Sequence, residues 1–112
     1  MNSDVLDANK LQELKMLMGP QFPELIDTFK RNAETKLVQI TTAIVQEDRD
    51  EILRSAHGLK GSSGNLGANA LYHLCENLEA MSMECSLIHA QQKFKEIEDE
   101  YEKLREVLQK LI

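Results

Sequence analysis

The chain is 112 residues long and carries a formal net charge of −6, with 42% hydrophobic and 29% charged residues. That is enough for one core with little left over for a second, so a single domain over 1–112 is expected. Its lysines and arginines are scattered among carboxylates, which argues against nucleic acid as a partner. No run approaches the length of a membrane span, and the first twenty residues lack the basic, apolar, small-residue order of a secretory signal. A cytoplasmic protein is the expectation, and Met1 with the absence of linker-like ends favours a free-standing one.

Five helical segments follow in order. Asp7 is a suitable N-cap for Ala8 to Met18, where Leu11, Leu14, Leu17 and Met18 make a stripe that Gly19 ends. A longer helix begins around Pro20 to Pro23, since proline costs little in a first turn. Its buried side is drawn from Leu25, Ile26, Phe29, Ala33, Leu37, Ile40, Ile44 and Val45.

Asp48 or Asp50 opens the third helix, which carries Ile52, Leu53, Ala56 and His57 to about Gly64 before Gly67 breaks it. Ala68 to about Glu84 forms the fourth, with Leu71, Leu74, Leu78 and Met81 inward and Cys75 as a small core residue on the same side. Ser86 caps the last helix, whose apolar positions are Ile88, Phe94, Ile97, Tyr101, Leu104, Leu108 and Leu111.

No alternating run rich in Val, Ile and Thr is long enough for a sheet. Helices of this length with short joints should pack antiparallel. The expected fold is therefore all-α, an antiparallel four-helix bundle with an additional N-terminal helix packed across one end.

The chemistry available is narrow. There is no phosphate-binding Gly-x-x-x-x-Gly-Lys-[Ser/Thr] loop, no kinase signature and no dinucleotide fingerprint, so no cofactor is implied. His-Glu-x-x-His and paired Cys-x-x-Cys are absent too, which leaves a metal without strong support. Cys75 and Cys85 are too few for a disulfide framework, and Cys85 reads as a free thiol near a helix end.

Against this plain background one stretch stands apart, His57 to Ala68. Four of the five glycines fall here, at Gly58, Gly61, Gly64 and Gly67, where the apolar spacing still asks for helix. Each interior glycine costs about 1 kcal/mol relative to alanine, and offers in return a bare backbone that another surface can approach. On a helical wheel His57 lies roughly 110° from the centre of the stripe formed by Ile52, Leu53, Ala56, Leu59 and Ser63. Gly61 and Gly64 share its side, and Lys60 lies between that side and the stripe. An accessible imidazole, a cation one turn away and little bulk around them is the result. Ser62 should face solvent, Ser63 should pack on the buried stripe, and His73 and His89 read as surface residues.

The residues His57, Leu59, Lys60, Gly61, Ser62, Ser63, Leu66 and Gly67 resemble the motif of the histidine-containing phosphotransfer (HPt) domain of two-component phosphorelays. Leu74-Cys75 and Leu78-Glu79 resemble the family's Leu-Cys-x-x-Leu-Glu segment on the next helix. The resemblance implies that His57 accepts a phosphoryl group from an aspartyl phosphate and passes it to another receiver. It implies that Lys60 offsets the phosphoryl charge, that Gly61 and Gly64 let the partner's acidic site come close, and that Glu79 orients the imidazole. Some members carry a basic residue where this chain has Met83, so the likeness supplies no second phosphate contact there.

The implied partners are receiver domains of a hybrid histidine kinase and of a response regulator, with the chain a monomer because its His57 face must stay open. The implied role is a phosphocarrier without kinase activity of its own. Two other readings stay open on the residues alone. One is a docking module of the same shape that takes no phosphate, which burial of His57 would favour. The other is a helical metal-binding protein using His57, His73, Cys75, Cys85 and His89, whose irregular spacing argues against it.

Overall fold

The computed structural model describes residues 5–84 and 86–111, and among these every regular element is helical. In chain order they are α1 (Ala8–Met18), a 3₁₀ turn (Gly19–Gln21), α2 (Phe22–Val45), α3 (Arg49–Leu66), α4 (Asn69–Met81) and α5 (Leu87–Gln109). The expected thiol at Cys85 lies outside the described residues.

The helix ends follow from local chemistry. The Asp7 carboxylate accepts from the Asn9 and Lys10 amides and opens α1. Asp48, rather than Asp50, opens α3 by accepting from Glu51 N, and Ser86 opens α5 by accepting from His89 N. Gly67 closes α3 in the left-handed region at φ 87°, where an L side chain would be strained, and Ala68 N–H reaches back to Ser63 O at 2.8 Å. Asp7 N–H then donates to Gly67 O at 2.7 Å, which ties the start of α1 to the end of α3.

Two boundaries differ from expectation. The α3 helix runs to Leu66, past Gly64, because the intervening glycine keeps helical backbone and only Gly67 turns left-handed. The α4 helix stops at Met81 rather than Glu84, where fully buried Ser82 turns its hydroxyl onto Glu79 O at 2.7 Å and competes with the next helical turn.

Packing neighbours close a ring, α2 against α3, α3 against α4, α4 against α5 and α5 against α2, while α1 touches α2 and α3. Side-chain pairs give the sense of the α3–α4 contact: Arg49 donates to Ser82 O at 2.8 Å, His57 meets Glu79, and Gly64 lies under Tyr72. Position rises along one helix as it falls along the other, so the two are antiparallel. Across the α2–α3 contact, Gln39 faces Ser55 and Lys36 faces Gly58, which is antiparallel in the same way.

The core is built from Ile26, Ile40, Ile52, Leu59, Leu71, Leu78, Ile97, Leu104 and Leu108, all fully buried, with Cys75 among them. Its thiol is pushed up to about 12, by burial first and then by the charge of Glu79, so it stays protonated and packs as a small apolar group.

Of the expected core residues, Leu11, Leu14, Met18, Leu25, Leu37, Leu53, Leu74 and Met81 are only half-buried, and four are exposed. Leu17, Val45, Ile88 and Leu111 are exposed, each in the first two or last two residues of its helix or just beyond it, where no neighbouring helix reaches. Ala43 and Ala90 are buried in their place, since close helix packing selects small side chains where backbones approach.

Candidate phosphotransfer site

His57 sits midway along α3, and its side chain is 68% exposed. The amphipathic spacing of α3 puts Ile52, Ala56, Leu59 and Ser63 inward and so turns position 57 out. Burial of the histidine, which would have favoured a docking module, is not found.

Glu79 of α4 reaches across to the imidazole, with its Oε1 3.0 Å from His57 Nδ1. An ionised carboxylate only accepts, so Nδ1 carries the hydrogen and, in the neutral ring, the lone pair is on Nε2. The second oxygen, Oε2, is 3.0 Å from Lys60 Nζ. That contact is an ion pair without hydrogen-bond alignment, Oε2 being buried with no aligned donor. Glu79 and Lys60 are mostly covered, at 22% and 18% side-chain exposure, while the histidine that Glu79 meets stands in solvent.

Charge follows this geometry. Burial alone would push Glu79 up, but Lys60 and His57 at its two oxygens outweigh it and hold the carboxyl below its ordinary value. Lys60 moves the other way, raised by its contact with Glu79 against a smaller opposing effect of desolvation. Glu79 is thus an anion with a cation on one side and a ring N–H on the other.

The glycines part company. A Cβ on Gly61 would meet nothing within 4 Å, so the surface one turn beyond His57 is open. One on Gly64 would lie 3.1 Å from the Tyr72 ring, so this glycine makes room for an aromatic side chain of α4. The expected clear face therefore extends over Gly61 but is covered at Gly64.

Ser62 is half-buried rather than solvent-facing, because its hydroxyl turns back to Gly58 O at 3.2 Å. Ser63 is buried and bonds Leu59 O at 2.7 Å. His73 and His89 are exposed. Among the described residues no group of three His, Cys, Asp or Glu side chains converges as metal ligands would.

Three neighbours of the site were not singled out from the sequence. Tyr72 covers Gly64, Arg54 lines a groove with His57, Glu79, Leu53 and Asp50, and Lys36 of α2 lies against Gly58. The sequence does set Lys36 into the buried stripe of its own helix, three residues after Ala33 and four before Ile40, though nothing in that spacing places it against Gly58.

Known proteins share the sequence pattern and the fold. The chain is 34% identical over 89 residues to Sensor protein TorS of Escherichia coli (strain K12), a match covering 79% of this chain and 10% of that much longer protein. Its structure superposes on histidine-containing phosphotransfer protein B (HptB) of Pseudomonas aeruginosa with a TM-score of 0.91 at 29% identity, covering 95% of this chain and 92% of the other. A rice protein titled as a histidine-containing phosphotransfer protein gives a TM-score of 0.88 over 97% of this chain and 82% of its own; at 24% identity it speaks for the fold alone. The sequence model of the Hpt domain matches residues 24–107, and the chain belongs to that family of phosphorelay histidine phosphotransfer domains.

Proposed function

We propose that His57 is the phosphoryl acceptor and that residues 1–112 form one phosphocarrier domain working between two receiver domains, one of a hybrid histidine kinase and one of a response regulator. The observation that carries this reading is the exposed imidazole whose Nδ1 is held by Glu79, leaving Nε2 free beside the open backbone of Gly61.

The step balances simply. The Nε2 lone pair attacks the phosphorus of a receiver's aspartyl phosphate, the N–P bond forms as the P–O bond to the aspartyl oxygen breaks, and that electron pair leaves with the receiver's carboxylate. No proton has to move. The ring keeps its Nδ1–H, becomes cationic, and has the Glu79 carboxylate 3.0 Å away to balance it. In the second half-reaction a carboxylate of another receiver attacks the same phosphorus and the ring leaves neutral.

Lys60 has two tasks on this reading. It holds Glu79 in place before transfer, and its ammonium, one helical turn from His57, offsets the charge of the arriving phosphoryl group. Gly61 leaves room for the receiver, and Gly64 serves the docking face indirectly by seating Tyr72. The four long helices act as an antiparallel four-helix bundle, with α1 across one end. The protein works as a monomer in the cytoplasm, without kinase activity of its own. No described helix is long and apolar enough to cross a membrane.

The test is transfer from a phosphorylated receiver domain, with the product scored for acid lability and the assay repeated on His57→Gln. Acid-labile label on the wild type and none on the variant is the expected result. Label persisting on a folded His57→Gln protein would remove His57 from the role.

A further inference from the structure

We propose that Lys36 of α2 is a phosphoryl-binding residue, its side chain laid through the notch that Gly58 leaves beside His57 so that its ammonium meets the phosphoryl group on Nε2. This rests on the reading of His57 as acceptor and extends it to a helix outside the histidine-bearing motif.

The geometry starts from Gly58. A Cβ placed there would lie 2.9 Å from Lys36 Cε and 3.3 Å from its Nζ, so the lysine occupies the space a side chain would need. Gly58 follows His57 directly, about 100° round the helix, so the ammonium rests against the flank of α3 next to the one that carries the nucleophile. The placement is fixed by helix register: Gln39 Oε1 lies 3.5 Å from Ser55 Oγ, and three residues along each antiparallel helix the next pair across is Lys36 and Gly58.

The cations near His57 are differently engaged. Lys60 is on Glu79 and Arg54 is on Glu51 at 2.9 Å. Among the described residues no carboxylate pairs with Lys36, which is half-buried along its stem. Glu79 pulls Nδ1 toward α4, and because the two ring nitrogens point in roughly opposite directions, Nε2 faces away from α4. A phosphoryl group on Nε2 stands on the far side of the ring from the Glu79 contact, and Lys36 crosses α3 at the residue next to His57.

A merely structural lysine would explain the notch by its apolar stem, so the test separates stem from charge. Wild type, Lys36→Met, Lys36→Arg and Gly58→Ala are loaded with phosphoramidate, a small phosphoryl donor that needs no receiver. The phosphohistidine ³¹P resonance is then followed against pH. Lys36→Met keeps a stem in the notch but not the charge. Gly58→Ala keeps the charge but displaces it, while a better helix former supports the fold.

In both of these the second ionisation of the phosphoryl group is expected at higher pH by about half a unit, the scale of one water-screened opposite charge, and Lys36→Arg should titrate like wild type. The label shared at equilibrium with a receiver should shift about threefold toward the receiver in Lys36→Met. Coincident ³¹P titrations for wild type and Lys36→Met, or a shift in Gly58→Ala alone, would overturn the proposal while leaving His57 as acceptor. Failure of the wild type to take label at His57 would overturn both.

Discussion

Glu79 makes the site a small circuit of charge, and its behaviour is open to measurement at the level of one side chain. Its carboxyl is held below the ordinary value of 4.5, so the stability it contributes is whole above that pH and is lost as pH falls through the lower folded-state value. Lys60 is raised above 10.5, so its share is whole below that pH and is lost only as pH rises through a still higher value. Stability curves of wild type and Glu79→Gln should therefore run apart above the ordinary carboxylate value of 4.5 and close as pH falls through the lowered folded-state value of Glu79. Denaturant midpoints across that range check it, and a gap that persists at acid pH would mean the carboxylate is not what the pair contributes. Glu79→Ala should also slow phosphate uptake about tenfold, since one hydrogen bond to a charged acceptor at a partly exposed site is worth about 1.5 kcal/mol. Most of this was legible beforehand: His57, Lys60 and Glu79 stand at motif positions. Lys36 was not, because its place beside Gly58 depends on how α2 slides against α3, and nothing local to either helix states that register.

Among the helices, α3 shows how far composition can be read and where it stops. The three glycines of α3 and the one that caps it look alike in the sequence, yet each meets something different: Lys36 at Gly58, open space at Gly61, Tyr72 at Gly64 and a left-handed backbone at Gly67. Wheel geometry separates directions on one helix, but which direction is covered is decided by its neighbours. Gly67 was readable as a helix stop and Gly61 as open backbone, whereas what Gly58 and Gly64 meet was not. The contrast predicts that Gly61→Ala raises stability by about 1 kcal/mol, the helix-propensity gain with no clash, and that Gly64→Ala gains less because the Tyr72 ring 3.1 Å away must give. Thermal melts of the two variants compare them directly. Gly61→Arg should fold equally well and yet block transfer, since the added side chain projects only into the space a receiver would use. Unimpaired transfer by that variant would show that the docking face lies elsewhere. The exposed ends of α1, α2 and α5 carry the same lesson, as periodicity assigned Leu17, Val45 and Ile88 inward without knowing where the neighbouring helix ends.

For the molecule as a whole, the ring of packed helices divides labour between its inside and its outside. The inward faces hold Ile97, Leu104, Leu78 and Leu59 in full burial, and burial of such side chains at about 1.5–3 kcal/mol each is what offsets chain entropy. The outward faces of α3 and α4 hold His57 and the Glu79 carboxylate beside it, which the core does not need. Stability and transfer should then be separable in both directions. His57→Gln removes an exposed group and should leave the melt nearly unchanged while ending uptake. Ile97→Val removes one fully buried methylene on α5, away from the histidine-bearing helix, and should lower stability by about 1 kcal/mol. Because a domain of this size retains several kcal/mol, that variant stays folded and its rate of phosphate uptake per molecule should equal that of wild type. Denaturant midpoints and single-turnover transfer on the same preparations test the pair together. A rate that fell with the loss of core packing would mean that transfer draws on motion of the whole bundle, and the division between a static scaffold and a surface site would have to be abandoned.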